Sequence, residues 1–599
     1  MTFHKVQSIP ALFAQTAREF SDKTALRVRR ADSLIDISWG NFLEVVCYLA
    51  MGLSEIGLKA HDKVCMIAEN CAEWLYFDLA ILSNKAVVVP LYTNCSDHDL
   101  NYILKHSEAK ILVVSDDRYL ERFLKLPAGT TKIEKVVVVN EIGEHGFQNV
   151  VSYNYLIERG RKQGVQSRYP FYEKVQDIKS DDIATIIYTS GTTGDPKGVM
   201  LTHENFIANC EGCADAIHVT REDVSLSFLP LSHIFERLAG YYFFLFSGAT
   251  MGFAESMYTV MRDMQDIKPT IMCAVPRFFE RIYHGILDTI EKQSFIRRAI
   301  FTWGLRIGRS LHTFKRRGRK VFFGTQFMYG IFNKILFVKL RESLGGNFRF
   351  FISGGAALSK DIAYFFEIIG ITILEGYGLT ETSPVVSVNR ERNNKIGTVG
   401  LPLSNLEVKI ADGGEIAVKG RSVMRGYFKD DQSTSETIRE GWLYTGDVGR
   451  LDQNGFLKII DRKKDIIVIS GGKNIAPQML ENALVSDPMF SQVIVFGDNQ
   501  KYLVALIVPH REHVEFYAKQ HKIDCASYEA LLEHKEIHAH AKRHVARALR
   551  DFAQYEKIKK FKLLKDEFTL EDGELTPTYK VRRKIILNKY KQLIASLYE

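Results

Sequence analysis

Short apolar runs alternate with amphipathic segments along the first third of the chain. Leu43 to Ile56 has the apolar spacing of a helix, and so has the segment from Glu73 to Ser83. The runs at 64–67, 87–90 and 111–114 are rich in Val and Ile and predict strands. This alternation is typical of an α/β domain built on a largely parallel sheet.

The same alternation continues past residue 180. Further strands are predicted at 183–187, 224–229, 270–275 and 348–353, with a helix at 205–216. The longest uncharged stretch lies between Arg237 and Glu255 and is interrupted by Ser247-Gly248. Because of that interruption, it predicts a buried helix followed by a buried strand rather than a membrane span.

The pattern changes near Lys395, where short strands and turns replace the alternation. The runs at 407–410 and 415–418 predict a small β-barrel-like part over about residues 396–461. A charged segment, Asp461-Arg462-Lys463-Lys464-Asp465, follows it, and exposed polar segments are where domain boundaries fall. We therefore predict a large N-terminal α/β domain with parallel or mixed sheets at 1–461 and a smaller α+β domain at 462–599.

Composition excludes some classes and leaves an ordinary globular protein. With 599 residues, 46% hydrophobic and 25% charged, the chain predicts two or more soluble domains. The net charge of +8 does not by itself indicate nucleic-acid binding. Eight sparse cysteines and a first segment without an apolar core predict reduced thiols and no secretory signal, hence a cytoplasmic location.

One loop has the composition of an anion-binding site. The predicted strand 183–187 leads into Tyr188-Thr189-Ser190-Gly191-Thr192-Thr193-Gly194-Asp195-Pro196-Lys197-Gly198. Glycines and hydroxyls let backbone and side-chain donors approach a phosphate, and Lys197 adds a positive charge. A Walker A loop is excluded, because Pro196 stands where that pattern needs glycine and Gly198 follows the lysine. A solvated Gly/Thr turn remains the alternative at this point.

Further segments suit the same chemistry. Gly354-Gly355-Ala356 would let a planar ring lie against the backbone. The segment 375–382 offers an aromatic ring and a carboxylate for a base and a divalent metal. Asp447, in Gly441-Trp442-Leu443-Tyr444-Thr445-Gly446-Asp447, is placed to hold a ribose diol, with Arg462 a second candidate.

Together these segments resemble the adenylate-forming superfamily of acyl-CoA synthetases, peptide-synthetase adenylation domains and luciferases, in the family's order and over essentially the whole chain. The segments 229–237 and 269–283, the charged segment and the basic ending 576–584 resemble the long-chain fatty acid–CoA ligases. One departure is Tyr579, where many relatives have glycine before their catalytic lysine. The long-chain branch also tends to lack that glycine, so the resemblance still implies Lys580 as the catalytic lysine.

The resemblance implies roles for individual residues. It implies that Lys580 is catalytic, that Glu381 holds Mg²⁺, that Thr380 bonds the α-phosphate, and that His233 lies near the acyl carboxylate, although a hydrogen-bonded core histidine is the alternative for His233. Lys464 would be the hinge of a mobile C-terminal lid. The remaining cofactor-binding residues would be Thr189, Ser190, Gly191, Thr192, Thr193, Gly194, Lys197, Gly354, Gly355, Ala356, Glu375, Gly376, Tyr377, Gly378, Asp447, Arg462, Gly471, Gly472 and Lys473.

The implied function is ATP-dependent activation of a long-chain fatty acid through an acyl-AMP intermediate and transfer to the thiol of coenzyme A. Two alternatives stay open at this point. The acceptor could be acyl carrier protein, since its synthetases share these motifs. The chain could also be a fatty-acid binding or uptake protein without catalysis, although Lys197, Glu381, Asp447 and Lys580 argue against that.

A basic, aromatic insert spans about residues 294–345. Between Arg297 and Arg341 there are twelve Lys and Arg residues and no acidic one, with many aromatics among them. Basic residues with aromatics suit an anionic membrane surface, so we expect peripheral contact through 297–341, on the cytoplasmic face. A nucleic-acid site is disfavoured because no binding motif accompanies the charge. A helical hairpin with a solvated basic face is the remaining alternative.

Two sets of metal-ligand residue types carry no metal prediction. Cys210 and Cys213 lack the second pair that a structural zinc site needs. The four histidines at 534, 538, 540 and 544 are surrounded by Lys and Arg, so the sequence favours a solvated helix over a metal site.

Overall fold

The structure is a computed structural model. It describes residues 6–31, 33–127, 129–140, 149–164, 169–189, 195–256, 258–316, 322–569, 572–576 and 581–599. Among these residues, none of the helices combines the length and the apolar character needed to cross a membrane.

The strands are spread over the whole described chain. In chain order they are β1 (Thr24–Arg30), β2 (Ser33–Ser38), β3 (Lys63–Ile67), β4 (Val87–Pro90), β5 (Ile111–Val114), β6 (Lys135–Val138), β7 (Val150–Ser152), β8 (Ile183–Thr189), β9 (Lys197–Thr202), β10 (Val224–Ser227), β11 (Thr250–Phe253), β12 (Ile271–Ala274), β13 (Phe350–Ser353), β14 (Thr372–Gly378), β15 (Val385–Val388), β16 (Leu401–Pro402), β17 (Leu406–Ile410), β18 (Glu415–Gly420), β19 (Gly426–Tyr427), β20 (Ile438–Arg439), β21 (Trp442–Leu451), β22 (Leu457–Arg462), β23 (Ile467–Val468), β24 (Asn474–Ile475), β25 (Phe490–Phe496), β26 (Leu503–Pro509) and β27 (Ile558–Leu563).

The α-helices cover the sheets and build the insert. They are α1 (Ile9–Glu19), α2 (Trp39–Glu55), α3 (Ala72–Ser83), α4 (Asp97–Ser107), α5 (Asp117–Leu124), α6 (Tyr153–Gly164), α7 (Tyr169–Gln176), α8 (His203–Ala216), α9 (Phe243–Ser247), α10 (Val260–Ile267), α11 (Pro276–Glu291), α12 (Phe295–Arg316), α13 (Phe323–Phe332), α14 (Val338–Ser343), α15 (Lys360–Ile368), α16 (Asp431–Thr437), α17 (Pro477–Val485), α18 (Arg511–Gln520), α19 (Tyr528–Glu533), α20 (Lys535–Ala548), α21 (Arg583–Lys589) and α22 (Lys591–Ser596). Two π-helices, Glu236–Tyr242 and Asn333–Phe337, and a 3₁₀ turn, Thr380–Thr382, interrupt them.

Two large mixed sheets contain strands β1 to β16 and β19. One has the strand order β16-β15-β14-β13-β12-β10-β11-β1-β2, and the other β19-β9-β8-β4-β3-β5-β6-β7. Central pairs such as β12·β13 and β3·β5 are parallel, whereas β8·β9 and β14·β15 are antiparallel. The central strands β4, β5, β12 and β13 consist of buried residues only, as expected where helices cover both faces of a parallel sheet.

The predicted strands agree closely with the observed ones, with one informative difference. The strands predicted at 87–90 and 111–114 have those bounds in the structure. The strand predicted at 224–229 ends at Ser227 instead. Its last two residues leave the sheet, because the carbonyl of Leu229 accepts a hydrogen bond from the side chain of Asn70, at 2.6 Å.

The uncharged stretch after Arg237 is a buried helical segment followed by a buried strand, as predicted. The π-helix Glu236–Tyr242 continues into α9, and β11 follows. Gly248 ends α9 with φ of 68°, in the left-handed region that favours glycine. A Cβ there would lie 2.4 Å from the ring of Phe20, so packing also requires glycine.

The remaining strands form two further units. The sheet β17-β18-β21-β20, with β22 paired to β21, is antiparallel and corresponds to the predicted small β part. The C-terminal region, residues 462–599, contains the sheet β25-β26-β27 and its own core of buried side chains. Among the hydrogen bonds that join it to the large domain, Arg277 Nη1 donates to Ser491 O at 2.7 Å, Asn482 Nδ2 to Ala357 O at 3.4 Å, and Ser486 Oγ contacts Ser359 Oγ at 2.6 Å.

Candidate active site

Six side chains from distant parts of the chain form a connected polar group where several strands and one 3₁₀ turn meet. We call this group the central cluster; it consists of Lys197, Tyr377, Glu381, Tyr427, Asp447 and Arg462. They come from β9, β14, the 3₁₀ turn, β19, β21 and β22, so that both large sheets and the small β part contribute. The central cluster therefore lies where three units of the fold meet.

Lys197 is held at the edge of the central cluster. It begins β9, directly opposite Thr189 at the end of β8. Its Nζ lies 2.5 Å from Ser433 Oγ, 3.8 Å from Asp430 Oδ2 and 5.1 Å from the ring centre of Tyr427. Its side chain is 43% exposed. The ammonium is thus positioned by weak surface contacts that a phosphate could replace.

Glu381 is joined to this lysine through one tyrosine. The hydroxyl of Tyr427 donates a hydrogen bond to Glu381 Oε1 at 2.9 Å. The backbone N–H of Met424 also donates to the carbonyl of Glu381, at 2.8 Å, which anchors the turn. Burial, and then the charge of Glu381, raise the pKa of Tyr427 well above its usual range. The tyrosine therefore stays a neutral donor to the carboxylate at physiological pH.

The carboxylate of Asp447 holds together the second half of the central cluster, through an ion pair with Arg462 and a hydrogen bond from Tyr377. The register of β21 and β22 places Asp447 opposite Arg462, and the Arg462 Nε lies 3.1 Å from Asp447 Oδ1. The hydroxyl of Tyr377 donates to Asp447 Oδ2 at 2.6 Å. Burial would lower the pKa of Arg462, but the charges of Asp447 and Glu381 raise it. The same guanidinium therefore connects this group electrostatically to Glu381.

Other predicted residues shape the backbone around the central cluster. Glu375 is buried, and its Oε1 accepts the backbone N–H of Gly397 at 3.1 Å; burial raises its pKa to about 7. Gly378 has to be glycine for packing, since a Cβ there would lie 1.9 Å from Pro384 O. At Gly354 a Cβ would meet the ring of Phe235 at 3.0 Å.

Gly355, Ala356 and Gly376 complete the segments beside β13 and β14. Gly355 has φ of 84°, and Gly355 and Ala356 are exposed. Gly376 pairs with Val388 of β15. An exposed, small-residue segment of this kind leaves room for a flat ring against the backbone.

Thr380 and His233 are not part of the central cluster. Thr380 is nearly buried, next to Glu381 in the 3₁₀ turn. His233 is half-buried; its Nδ1 accepts the backbone N–H of Phe235 at 3.2 Å, and its ring centre lies 6.3 Å from that of Tyr92. Its predicted place beside an acyl carboxylate stays a prediction.

The predicted site residues of the C-terminal region that the structure describes lie in or beside turns. Lys464 is in the turn after β22, where burial, and then the charge of Arg462, lower its pKa. Gly471, Gly472 and Lys473 form the exposed tip between β23 and β24. Hydrogen bonds from Gly472 N to Ile469 O, at 2.8 Å, and from Ser470 N to Gln500 O, at 2.9 Å, hold this tip.

Several predicted residues lie outside the described ones. They are Ser190, Gly191, Thr192, Thr193 and Gly194 of the hydroxyl-rich loop, and Lys580. Conversely, sequence reasoning missed Tyr427, Asp430 and Ser433. Tyr427 belongs to a two-residue strand that pairs with β9, and so short a strand leaves no periodic signal.

Two regions of the chain match known protein families. Residues 13–428 match the AMP-binding enzyme family, and residues 464–599 match the AMP-binding enzyme C-terminal domain. The chain belongs to the AMP-binding enzyme family. It therefore has the fold of the adenylate-forming enzymes, with a large α/β N-terminal part and a smaller C-terminal one.

Similar proteins point to one branch of the family. The chain is 34% identical over 564 residues to the long-chain-fatty-acid–CoA ligase FadD15 of Mycobacterium bovis, covering 92% of this chain and 90% of that protein. It is 32% identical to fatty acyl-CoA synthetase A of Dictyostelium discoideum, covering 92% of this chain and 84% of that protein. It is 30% identical to long chain acyl-CoA synthetase 3 of Arabidopsis thaliana, covering 94% and 87%.

Solved structures share the fold. The anthranilate CoA ligase AuaEII in complex with anthranoyl-AMP superimposes with a TM-score of 0.74 at 18% identity, covering all of both chains. ATP-bound MatB from Rhodopseudomonas palustris superimposes with a TM-score of 0.70 at 23% identity, covering 98% of this chain and 99% of that one.

Proposed function

We propose that the protein is an ATP-dependent long-chain fatty acid–CoA ligase. In the first step the fatty carboxylate attacks the α-phosphorus of ATP, the bond to the β-phosphate oxygen breaks, and acyl-AMP and pyrophosphate form. In the second step the thiol of coenzyme A attacks the acyl carbon and AMP leaves. The observation that carries this proposal is the central cluster, which puts two cations, two carboxylates and two tyrosines within one connected group.

Electrostatics is the main task in the first step, because a carboxylate and a polyphosphate repel each other. Lys197 can exchange its contacts with Ser433 and Asp430 for phosphate oxygens. Asp447 can accept from the hydroxyls of a ribose, while Tyr377 holds one of its oxygens and offers a ring for the base. In this proposal Thr189, Ser190, Gly191, Thr192, Thr193 and Gly194 bind the β- and γ-phosphates, and Thr380 bonds the α-phosphate.

The Glu381 carboxylate fits a magnesium ion. The Glu381 side chain is half-buried, and its Oε1 accepts a hydrogen bond from the neutral hydroxyl of Tyr427. Carboxylate oxygens are ligands that Mg²⁺ prefers. When bound, Mg²⁺ would neutralise charge on the phosphates. The protein's part is to orient this carboxylate: Tyr427 donates to its Oε1, and the Met424 amide fixes the backbone of the turn that carries it.

A single assay tests the proposal. The purified chain is given ATP, Mg²⁺ and palmitate, with coenzyme A, acyl carrier protein or no acceptor, and pyrophosphate, AMP and thioester are measured. We expect palmitate-dependent pyrophosphate release and palmitoyl-CoA. Absence of pyrophosphate release with every acceptor would refute the ligase function and leave a binding protein; thioester on the carrier protein alone would refute the assignment of coenzyme A, which the names of the similar proteins support.

Lys580 is proposed as the residue that stabilises charge only during activation. In this proposal the C-terminal region turns about Lys464, so that Lys580 serves the first step and Gly471-Gly472-Lys473 borders the thiol channel in the second. Lys580→Ala is expected to lower adenylate formation about 10²–10³-fold or more, as loss of one such donor does. It should leave thioester formation from supplied palmitoyl-AMP nearly intact; an equal loss of both steps contradicts the proposal.

The insert is proposed as a contact with an anionic membrane, which would place this protein peripherally on a cytoplasmic membrane face. Exposed apolar residues follow helical spacing on both of its helices. Ile296, Ile300 and Trp303 do so on α12, at 69%, 40% and 53% exposure. Phe323, Phe327 and Ile331 do so on α13, at 81%, 61% and 38%, and the helices pack through Trp303 and Phe332. Between residues 297 and 341 every charged residue is Lys or Arg, and an exposed apolar stripe beside such positive charge suits a membrane of anionic lipid.

Liposome sedimentation tests this contact. The double change Phe323→Ser, Phe327→Ser is expected to weaken binding to vesicles containing phosphatidylserine by about tenfold or more, since each buried Phe contributes roughly 1.5–3 kcal/mol. Tyr258→Ser is the matched control, because Tyr258 is 87% exposed and lies outside the insert. Unchanged binding of the double variant, or equal binding of wild type to neutral vesicles, would contradict a charged membrane contact.

A further inference from the structure

Three histidines of the C-terminal region converge, although they come from two helices. His513 lies on α18, and His540 and His544 lie one turn apart on α20. One ring nitrogen from each lies within 4.8 Å of the corresponding nitrogens of the other two. All three side chains are partly buried, so an ion from solvent could reach them.

The spacing of two of these nitrogens matches a tetrahedral metal site. Nε2 of His540 lies 3.4 Å from Nε2 of His513. That is longer than an ordinary N–H···N hydrogen bond, which is roughly 2.7–3.2 Å. It equals the separation of two nitrogens bound to one tetrahedral zinc ion, about 3.3–3.4 Å for bonds of about 2.0–2.1 Å.

The third histidine is already oriented by a carboxylate. Nδ1 of His544 donates to Asp487 Oδ1 at 2.6 Å, which directs its Nε2 away from Asp487. Histidine ligands in metal sites typically donate their second nitrogen to a carboxylate in this way. Arg547 Nη2 donates to the other oxygen, Asp487 Oδ2, at 2.7 Å, so both carboxylate oxygens are held in place.

The other two rings are held by stacking. The rings of His513 and His540 stack on each other with centres 5.7 Å apart. The ring of Tyr517 stacks on His540 at 3.7 Å between centres. Two guanidinium groups lie at the Nδ1 side of these rings: Arg547 Nη2 donates to Asp487 Oδ2 at 2.7 Å and lies 2.9 Å from His544 Nδ1, and Arg543 Nη2 donates to Tyr517 Oη at 3.2 Å and lies 3.4 Å from His540 Nδ1.

We propose that His513, His540 and His544 form a binding site for a divalent ion of the zinc type, with three imidazole ligands, Asp487 as the orienting carboxylate and a fourth position for water. Imidazole suits Zn²⁺ and its transition-metal neighbours, whereas Mg²⁺ selects oxygen ligands. The site is therefore distinct in chemistry from the Glu381 carboxylate. It lies beside the contact with the large domain, where the ring of His510 lies 5.1 Å from that of His284 on α11.

The test measures Zn²⁺ binding to the full chain by competition with a chromogenic chelator, with excess Mg²⁺ present and nucleotide absent. We expect one Zn²⁺ per chain at this site. His513→Gln and His540→Gln should each weaken binding at least about tenfold, and Asp487→Asn about 10- to 100-fold, as loss of an orienting carboxylate does. His538→Gln is the control, because His538 lies on α20 and stacks on Phe561 outside the site.

Two further readouts keep the proposal falsifiable. Co²⁺ bound to wild type should give the ligand-field spectrum of a tetrahedral nitrogen site, and His540→Gln should remove it. Melting without metal checks that each variant folds, and added Zn²⁺ should raise the melting temperature of wild type and His538→Gln but not of His540→Gln. Unchanged Zn²⁺ affinity in a folded His513→Gln, His540→Gln double variant, or failure of wild type to bind Zn²⁺, would overturn the site.

Discussion

The large domain contains the same trio of side chains twice, once sealed in the core and once in the central cluster. In the core, Arg237 donates through Nη2 to Asp78 Oδ1, and Tyr242 Oη donates to Asp78 Oδ2 at 2.7 Å. In the central cluster, Arg462, Asp447 and Tyr377 make the same two contacts. The two Asp–Arg–Tyr groups therefore differ in environment and not in residue types.

The environments differ at the arginine, since both carboxylates are buried. The side chains of Arg237 and Asp78 are 0% exposed, and Arg237 also donates to Thr185 Oγ1, at 2.7 Å, and to Tyr242, at 3.1 Å. Arg462 is 46% exposed. In the buried group these polar contacts are made within the protein and water has no access, whereas the exposed arginine of the other group can exchange a contact for one with a ligand. The comparison teaches that exposure, and not residue identity, separates a structural ion pair from a candidate binding site.

Breaking the sealed group should give the largest effect on stability. Asp78→Ala leaves Arg237 buried without its counter-charge, so we expect a loss of about 3–5 kcal/mol in the free energy of unfolding. Chemical or thermal denaturation of the large domain measures it. The triple variant Asp78→Leu, Arg237→Met, Tyr242→Phe should cost clearly less, because it leaves no buried charge unpaired; an equal or greater cost would show that packing, not charge, decides.

Changing the open group should affect the substrate more than the fold. Asp447→Asn weakens a hydrogen bond from a charged acceptor, which contributes roughly 1.5–3 kcal/mol, so we expect KM for ATP to rise about tenfold or more. The free energy of unfolding should change by less than about 1 kcal/mol, because Asn keeps the shape of the buried Asp447 side chain and Arg462, at 46% exposure, stays in contact with water. Steady-state kinetics and denaturation on the same preparation check both parts. A stability loss as large as that of Asp78→Ala would contradict the proposed difference between the two Asp–Arg–Tyr groups.

Glu236, next to Arg237, sharpens the comparison because it is buried without a counter-charge; burial dominates its pKa, and only Ser227 opposes the shift. Among the described residues neither of its carboxyl oxygens has a hydrogen bond, and burial raises its pKa from 4.5 to about 8. A raised carboxyl pKa means that the folded chain holds the proton longer than the unfolded one. The stability from this group is thus fully present below about pH 4.5 and falls until the pH has passed about 8.

The Glu236→Gln variant should remove this dependence. Between about pH 6 and 8 we expect wild type to lose up to about 1.4 kcal/mol of unfolding free energy per pH unit relative to the variant. Urea denaturation of both proteins at several pH values measures the difference. A constant difference across that range would mean that Glu236 does not hold a proton in the folded protein.

The smallest effect is expected at the exposed ion pair that Lys197 of the central cluster makes with Asp430 beside it. Asp430 lies 3.8 Å from Lys197, with side-chain exposures of 35% and 43%. Asp430→Asn should change the free energy of unfolding by less than about 1 kcal/mol. Denaturation is measured at low and at ordinary salt, because low salt strengthens exposed ion pairs. A loss of several kcal/mol in the free energy of unfolding would mean that this pair behaves like the buried Asp78–Arg237 pair instead.

The sequence by itself determined the strands and the candidate loops, because those signals are local. Continuous apolar runs predict β4 and β5 with their observed bounds, and glycine, hydroxyl and lysine residues within eleven positions indicate a phosphate loop. Asp447 and Arg462 were also predicted from their motifs. The antiparallel pairing that sets them opposite each other was not, because register depends on packing beyond the local segment.

Only the tertiary structure decided which polar residues are sealed and which remain open. Asp78 and Arg237 are 159 positions apart, and no local pattern marks them as partners. Likewise the sequence favoured a solvated helix for the histidines at 540 and 544, and it could not foresee that His513 would join them from 27 positions away. Burial and convergence arise from the packing of distant elements, and that packing sets the charge, the pKa and the access of each group.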